Sequence, residues 1–173
     1  MLKFILLFFL LFTSLFAQKS NTEMIGDVFL LALPIGAYST TLYLDDSEGQ
    51  LEFYKSFGTT VGLTYAFKFG VARERPNEED NRSFPSGHAS ATFGAASFIH
   101  MRYGLKYAVL PYLAAVYTGY SRVHTEQHYN SDVIVGALIG IVSSWYFTSP
   151  YKDVTLQPLT KSGYNGVNLT YKW

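Results

Sequence analysis

"SRVHTEQHYNSDVIVGALIGIVSSWYF", residues 121–147, runs from a polar stretch with one arginine, two histidines and an aspartate straight into an apolar segment. Such a stretch sets polar side chains at the mouth of a helix. Four more apolar segments precede it, at 28–44 (containing Pro34), 53–72, 88–101 and 105–120 (containing Pro111). Each is long enough for a buried core helix and marginal as a membrane span, which needs about 20 apolar residues. Glycine and other small residues are frequent in them, as in "GTTVGLTYAFKFG" at 58–70, and suit close helix packing. Hydropathy does not choose between a membrane bundle and a soluble one; the predicted fold class is all-α, a bundle of five to six helices, with membrane embedding favoured over the soluble alternative.

At 173 residues the chain has the length of one domain. Hydrophobic residues make up 49%, and 13 Lys and Arg balance 13 Asp and Glu, so no net field points to nucleic acid or another polyanion. The absence of cysteine removes disulfides, thiolate nucleophiles and Cys-based zinc sites. Chemistry is left to His, acids, bases and hydroxyls. No sequence feature points to an obligate protein partner.

The first 17 residues, one lysine and then an unbroken apolar run, read as a signal peptide or an N-terminal anchor helix, followed by a helical core at 18–150. "DDSEGQ" (45–50) and "RERPNEEDNRSFPSG" (73–87) read as loops. "MRYGLK" (101–106) joins two apolar segments, and its two basic residues favour the cytoplasmic side. In the tail, 151–173, Val167, Leu169, Tyr171 and Trp173 alternate with polar residues, the period of a strand, which predicts a short C-terminal β-hairpin.

Spacing suggests a site. His128 and Asp132 are four apart, and at a helix start they share a face where the carboxylate can accept a hydrogen bond from the ring; the same pair serves equally as a surface or capping pair. Arg122 lies just ahead of that helix, and its fork can grip two phosphate oxygens. Ser86 and Gly87 fall at another helix start, whose unpaired N–H groups favour an anion, with His88 in the first turn. Lys68 and Arg75, seven apart, read as neighbours on one helix face that ends before Pro76. These are the parts for phosphoryl transfer.

"KFGVARERP" (68–76), "PSGH" (85–88) and "SRVHTEQHYNSD" (121–132) together resemble the three-part signature KxxxxxxRP, PSGH and SRxxxxxHxxxD of the type 2 phosphatidic acid phosphatase superfamily, over about residues 53–147. The resemblance implies that His128 attacks phosphorus and forms a phosphohistidine, that Asp132 orients it, and that His88 protonates the leaving oxygen and then activates water. It implies that Lys68, Arg75, Arg122, Ser86 and the Gly87 N–H hold the phosphoryl oxygens, with no metal and no other cofactor. Inside the third motif His124, Glu126 and Asn130 replace the tyrosine, glycine and proline of many relatives, either as loop variation or as residues shaping the substrate mouth. His100 is read as interfacial, without a chemical role.

The expected activity is hydrolysis of lipid phosphates or diphosphates such as undecaprenyl diphosphate, phosphatidylglycerol phosphate or a lipid A phosphate, so the expected partners are the lipid substrate and membrane lipid. An even number of crossings separates the motifs, which puts them on one side, and Lys3 inside makes that side the periplasmic face of a bacterial inner membrane. The alternative is a soluble periplasmic acid phosphatase of broad specificity.

Overall fold

The computed structural model describes residues 20–151, together with the backbone of 153–161 and 164–172. The expected signal or anchor at 1–17 lies outside the described residues. Five helices are found among these: α1 (Asn21–Tyr43), α2 (Ser47–Gly70), α3 (Gly87–Tyr103), α4 (Leu105–His124) and α5 (Asn130–Phe147). The all-α bundle is thus the observed architecture. Asp153–Lys161 and Tyr164–Lys172 pair as an antiparallel ladder. The C-terminal hairpin stays a proposal here, resting on the period-two alternation of the sequence.

Capping sets the helix boundaries and moves several of the expected ones. α1 begins seven residues before the apolar run at Val28, because the Ser20 hydroxyl accepts the Glu23 N–H at 3.2 Å, and Pro34 does not break the helix. Asp46 accepts the Gly49 N–H at 2.9 Å and starts α2, so most of the "DDSEGQ" loop is helix and only Leu44–Asp46 turns. Between α3 and α4 the chain reverses at Gly104 alone, at φ +99° and ψ 158°, a conformation open in practice only to glycine.

The α3 helix packs against all four others. It can lie against α5 because both present glycines at the contact: a Cβ on Gly136 would overlap the Ser86 carbonyl oxygen, and one on Gly140 the Ser90 carbonyl oxygen. Ser144 Oγ then donates to the Gly94 carbonyl at 2.8 Å across the same seam. The interior is small and polar: Thr60, Thr64, Thr92 and Thr118 are buried, each returning its hydroxyl to a carbonyl one turn back. Apart from the buried pair Phe53 and Phe98, many large side chains point out, with Leu110 76% and Tyr146 74% exposed. Among the described residues two helices, α1 and α5, are long and apolar enough to cross a membrane. An apolar exterior around a small-residue, hydroxyl-rich interior suits lipid better than water, since in lipid close backbone contact and hydrogen bonding hold helices together.

Of the two basic residues in "MRYGLK", only Lys106 is an exposed cation. Arg102 is buried and paired to Asp46, Glu48 and Glu52, which removes it from the count of loop charges that orient a span.

Candidate active site

Because consecutive helices alternate in direction, the starts of α1, α3 and α5 and the ends of α2 and α4 meet at one end of the bundle. Every residue singled out in the three motifs lies there. Ser86 caps α3 through an acceptor contact to the Ala89 N–H at 3.4 Å, and its own N–H donates to the Asp132 carbonyl at 2.9 Å. This bond ties the start of α3 to the start of α5. Gly87 is the first residue of α3 and His88 the second.

Two of the expected placements are corrected. Lys68 and Arg75 do not share a helix face: α2 stops at Gly70, and Arg75 sits in the following loop. Their proximity comes from that loop folding back, with Lys68 Nζ donating to the Arg82 carbonyl at 2.7 Å. Arg75 is held by Asp80 (2.8 Å) and by the side chain (3.0 Å) and carbonyl (3.1 Å) of Gln127. Arg122 lies ahead of α5 as expected, buried in the last turn of α4. Its carbonyl accepts the N–H groups of Gln127 and His128, which wraps the loop around it.

His128 is 3% exposed and precedes α5 by two residues, so it shares no helix face with Asp132. The expected hydrogen bond between them is not made. Asp132 Oδ2 stands 3.8 Å from His128 Nδ1, and Nδ1 has no hydrogen-bond partner among the described residues. The carboxylate is occupied otherwise. It accepts from the Ser83 hydroxyl at 2.5 Å, from the Tyr129 N–H at 3.0 Å as a cap of α5, and from Arg73 Nη1 at 2.7 Å. Burial first, and then the Lys68 and Arg75 charges, push the His128 imidazole down to about 3, so the ring is neutral at physiological pH; the Ser83 backbone opposes the shift.

A cleft of about 630 Å³ opens beside these groups. Lys68, Arg75, Gly87, His88, Arg122 and His128 line its polar end, and Leu30, Leu31, Pro34, Ile35, Phe57, Val61 and Tyr65, from α1 and α2, line its apolar side. With Nδ1 buried, Nε2 is the His128 nitrogen left to serve the cleft. No group of three or more His, Cys, Asp or Glu side chains among the described residues is placed to hold a metal ion. His124 and Glu126 are not part of the cleft wall. His124 is exposed and stacks on Tyr120 at 5.3 Å, and Glu126 takes φ +56°, the region that favours the glycine many relatives have there. His100 contacts Tyr112 Oη at 3.2 Å in the α3–α4 interface, away from the cleft.

Several contributors were absent from the sequence reading. Arg73 and Ser83 hold Asp132, and Gln127 holds Arg75. Asp27, from the polar first turns of α1, stands 2.8 Å from His88 Nε2 and accepts from Arg122 Nη1 at 3.0 Å. A segment boundary drawn at Val28, where apolar residues begin, leaves it just outside.

Residues 50–155 match the model of the PAP2 superfamily. The chain is 35% identical over 169 residues to the lipid A 4'-phosphatase of Helicobacter pylori, covering 87% of this chain and 85% of that protein. It is 38% identical over 84 residues to the lipid A 1-phosphatase of Porphyromonas gingivalis, covering 47% of this chain and 19% of that one. The crystal structure of Aquifex aeolicus LpxE superposes with a TM-score of 0.55 at 24% identity, over 72% of this chain and 90% of that one, and shares the helical fold.

Proposed function

This chain belongs to the PAP2 superfamily and is a phosphatase of that type, and we propose that it hydrolyses phosphorylated lipids, a lipid A phosphate among them, through a phosphohistidine. One observation carries the reading: the cleft joins a polar end holding three cations and two histidines to an apolar wall made by α1 and α2. A phosphate head fits the first and an acyl chain the second. A soluble phosphomonoester has no use for the second.

In the first step the His128 Nε2 lone pair attacks phosphorus while the bond to the leaving oxygen breaks, and His88 gives that oxygen a proton. The neutral state of the buried ring leaves the lone pair available. In the second step His88 takes a proton from water as it attacks phosphorus, and the P–N bond breaks to release inorganic phosphate. Lys68, Arg75, Arg122, Ser86 and the N–H groups at the start of α3 carry the oxygens, whose charge is what a loose transition state leaves to stabilise. Asp132 acts at a distance, by holding the start of α5 and the field beside Nδ1.

The apolar exterior supports placing this site at head-group level, and the even number of crossings supports one face for all three motifs; Lys3 on the cytoplasmic side would make that face periplasmic. A panel of lipid and water-soluble phosphates, assayed by phosphate release from purified protein in EDTA, tests the reading. Preference in kcat/KM for long-chain substrates, undiminished by EDTA, is expected. Equal kcat/KM on soluble and lipid phosphates overturns the lipid assignment, and loss of activity restored by a divalent ion overturns the metal-free one.

A further inference from the structure

The family match begins at residue 50, yet the polar end of the cleft is closed by α1, which precedes it. Gly26 lets that helix approach: a Cβ there would overlap Ser121 Oγ and come within 2.8 Å of Arg122 Nη2. The close approach delivers two acceptors from consecutive turns. The Glu23 carbonyl accepts from Arg122 Nη2 at 2.6 Å, and Asp27 Oδ1 meets both Arg122 Nη1, at 3.0 Å, and His88 Nε2, at 2.8 Å. A carboxylate at that distance fixes the ring and favours its cationic form.

We propose that Asp27 is the positioning residue for His88: it takes Nε2–H, so that the proton for the leaving oxygen is carried on Nδ1, and it stabilises the imidazolium that must exist before the first step and again after water is deprotonated. The proposal rests on the phosphohistidine reading. The protons balance through the cycle. Nδ1–H passes to the leaving oxygen, leaving a neutral ring still bonded to Asp27 through Nε2–H, and Nδ1 then recovers a proton from the attacking water.

The charges around His88 make Asp27 matter. Among the described residues, the groups facing it include Glu23 and Asp27 from α1, Lys68 from α2, Arg75 from the following loop, Arg122 from α4 and His128 from the last loop. Three of these are cations that oppose a second positive charge, and Asp27 is the acid in direct contact.

Asp27→Asn keeps the shape and removes the charge. Two phosphomonoesters with the same alkyl tail, one with an alkyl leaving group and one with an aryl leaving group that departs without a proton, separate the acid step from the rest. For Asp27→Asn, kcat/KM on the alkyl ester is expected to fall about 100-fold and that on the aryl ester less than about 3-fold. The alkaline limb of the alkyl-ester profile should move about 1–2 pH units lower, because the acid is lost sooner once its carboxylate is gone. Equal losses on both esters with an unmoved limb would overturn the proposal, assigning Asp27 to Arg122 or to the fold. Faster turnover with tighter inhibition by inorganic phosphate would overturn it too, since Asp27 would then be competing with the substrate. Full activity of His128→Asn on the aryl ester would instead bring down the phosphohistidine reading, whatever Asp27→Asn does.

Discussion

At one end of the bundle Arg102 is buried among Asp46, Glu48 and Glu52, with the Ser149 carbonyl and hydroxyl filling out its donors and Tyr103 donating to the same Asp46. At the other, three cations line the cleft: Arg75 pairs with Asp80 and Arg122 with Asp27, one carboxylate each, and Lys68 Nζ contacts the Arg82 carbonyl. The residue types are alike and the ratio differs: three carboxylates to one guanidinium at the first end, one to each paired guanidinium at the second. Three carboxylates around one guanidinium leave nothing for a ligand to add, so that cluster ties together the α1–α2 turn, the end of α3 and the segment after α5. Three cations beside a neutral, buried imidazole, two of them with a single carboxylate each and Lys68 with a carbonyl contact, leave capacity that a phosphate dianion completes. Function is legible here as incompleteness, and folding as saturation.

The comparison predicts opposite failures when each end is cut. His128→Asn should lower kcat/KM by more than about 1,000-fold while the protein folds as before, because it removes the nucleophile and no hydrogen bond to Nδ1. Substantial residual turnover would mean that the cleft works by another route. Arg102→Leu should do the reverse: a loss of about 3–5 kcal/mol in unfolding measured in detergent, since it strands Asp46 and Glu52 without their cation, with kcat/KM of the folded fraction unchanged within about twofold. Equal damage to turnover would show the two ends to be coupled.

A smaller effect follows from the buried ring itself. His128 has an ordinary value of 6.5 and is held at about 3 in the fold, so between those limits the unfolded chain binds the extra proton. Its contribution to stability is therefore present above 6.5 and lost as pH falls toward 3, at about 1 kcal/mol per pH unit. Acidification from pH 7 to pH 5 should destabilise the wild type more than His128→Asn. Parallel pH dependences would contradict a buried, neutral ring. The smallest expected effect is at Glu126, whose φ of +56° costs a non-glycine residue about 1 kcal/mol, partly offset by the greater freedom of glycine in the unfolded chain. Glu126→Gly should raise Tm by a degree or two without changing head-group preference. A changed preference would put Glu126 at the substrate after all.

Much of this contrast could be read before the fold was known, because spacing fixed the parts: Lys68, Arg75, Ser86, Gly87, His88, Arg122, His128 and Asp132 all come to one end. What could not be read was who holds whom. His128 and Asp132, four apart, suggest a shared helix face, but α5 starts only at Asn130, and Asp132 is taken up by Ser83, Arg73 and its own cap. Asp27 was hidden for a different reason. The Ser20 cap extends α1 back through polar residues that hydropathy assigns to a linker, and only tertiary packing at Gly26 brings that turn to Arg122. Arg102 was hidden by its charge, which marks a loop residue until three acids distant in sequence are seen to enclose it.

The chemistry proposed for the cleft consists of two successive displacements at phosphorus, the first by His128 and the second by water. Each inverts configuration. Hydrolysis of a long-chain alkyl phosphorothioate monoester, made chiral at phosphorus by two oxygen isotopes and cleaved in water of the third, should therefore release chiral inorganic thiophosphate with net retention, whether or not the phosphoenzyme accumulates. Net inversion would mean a single direct attack by water, and would contradict a phosphohistidine on His128.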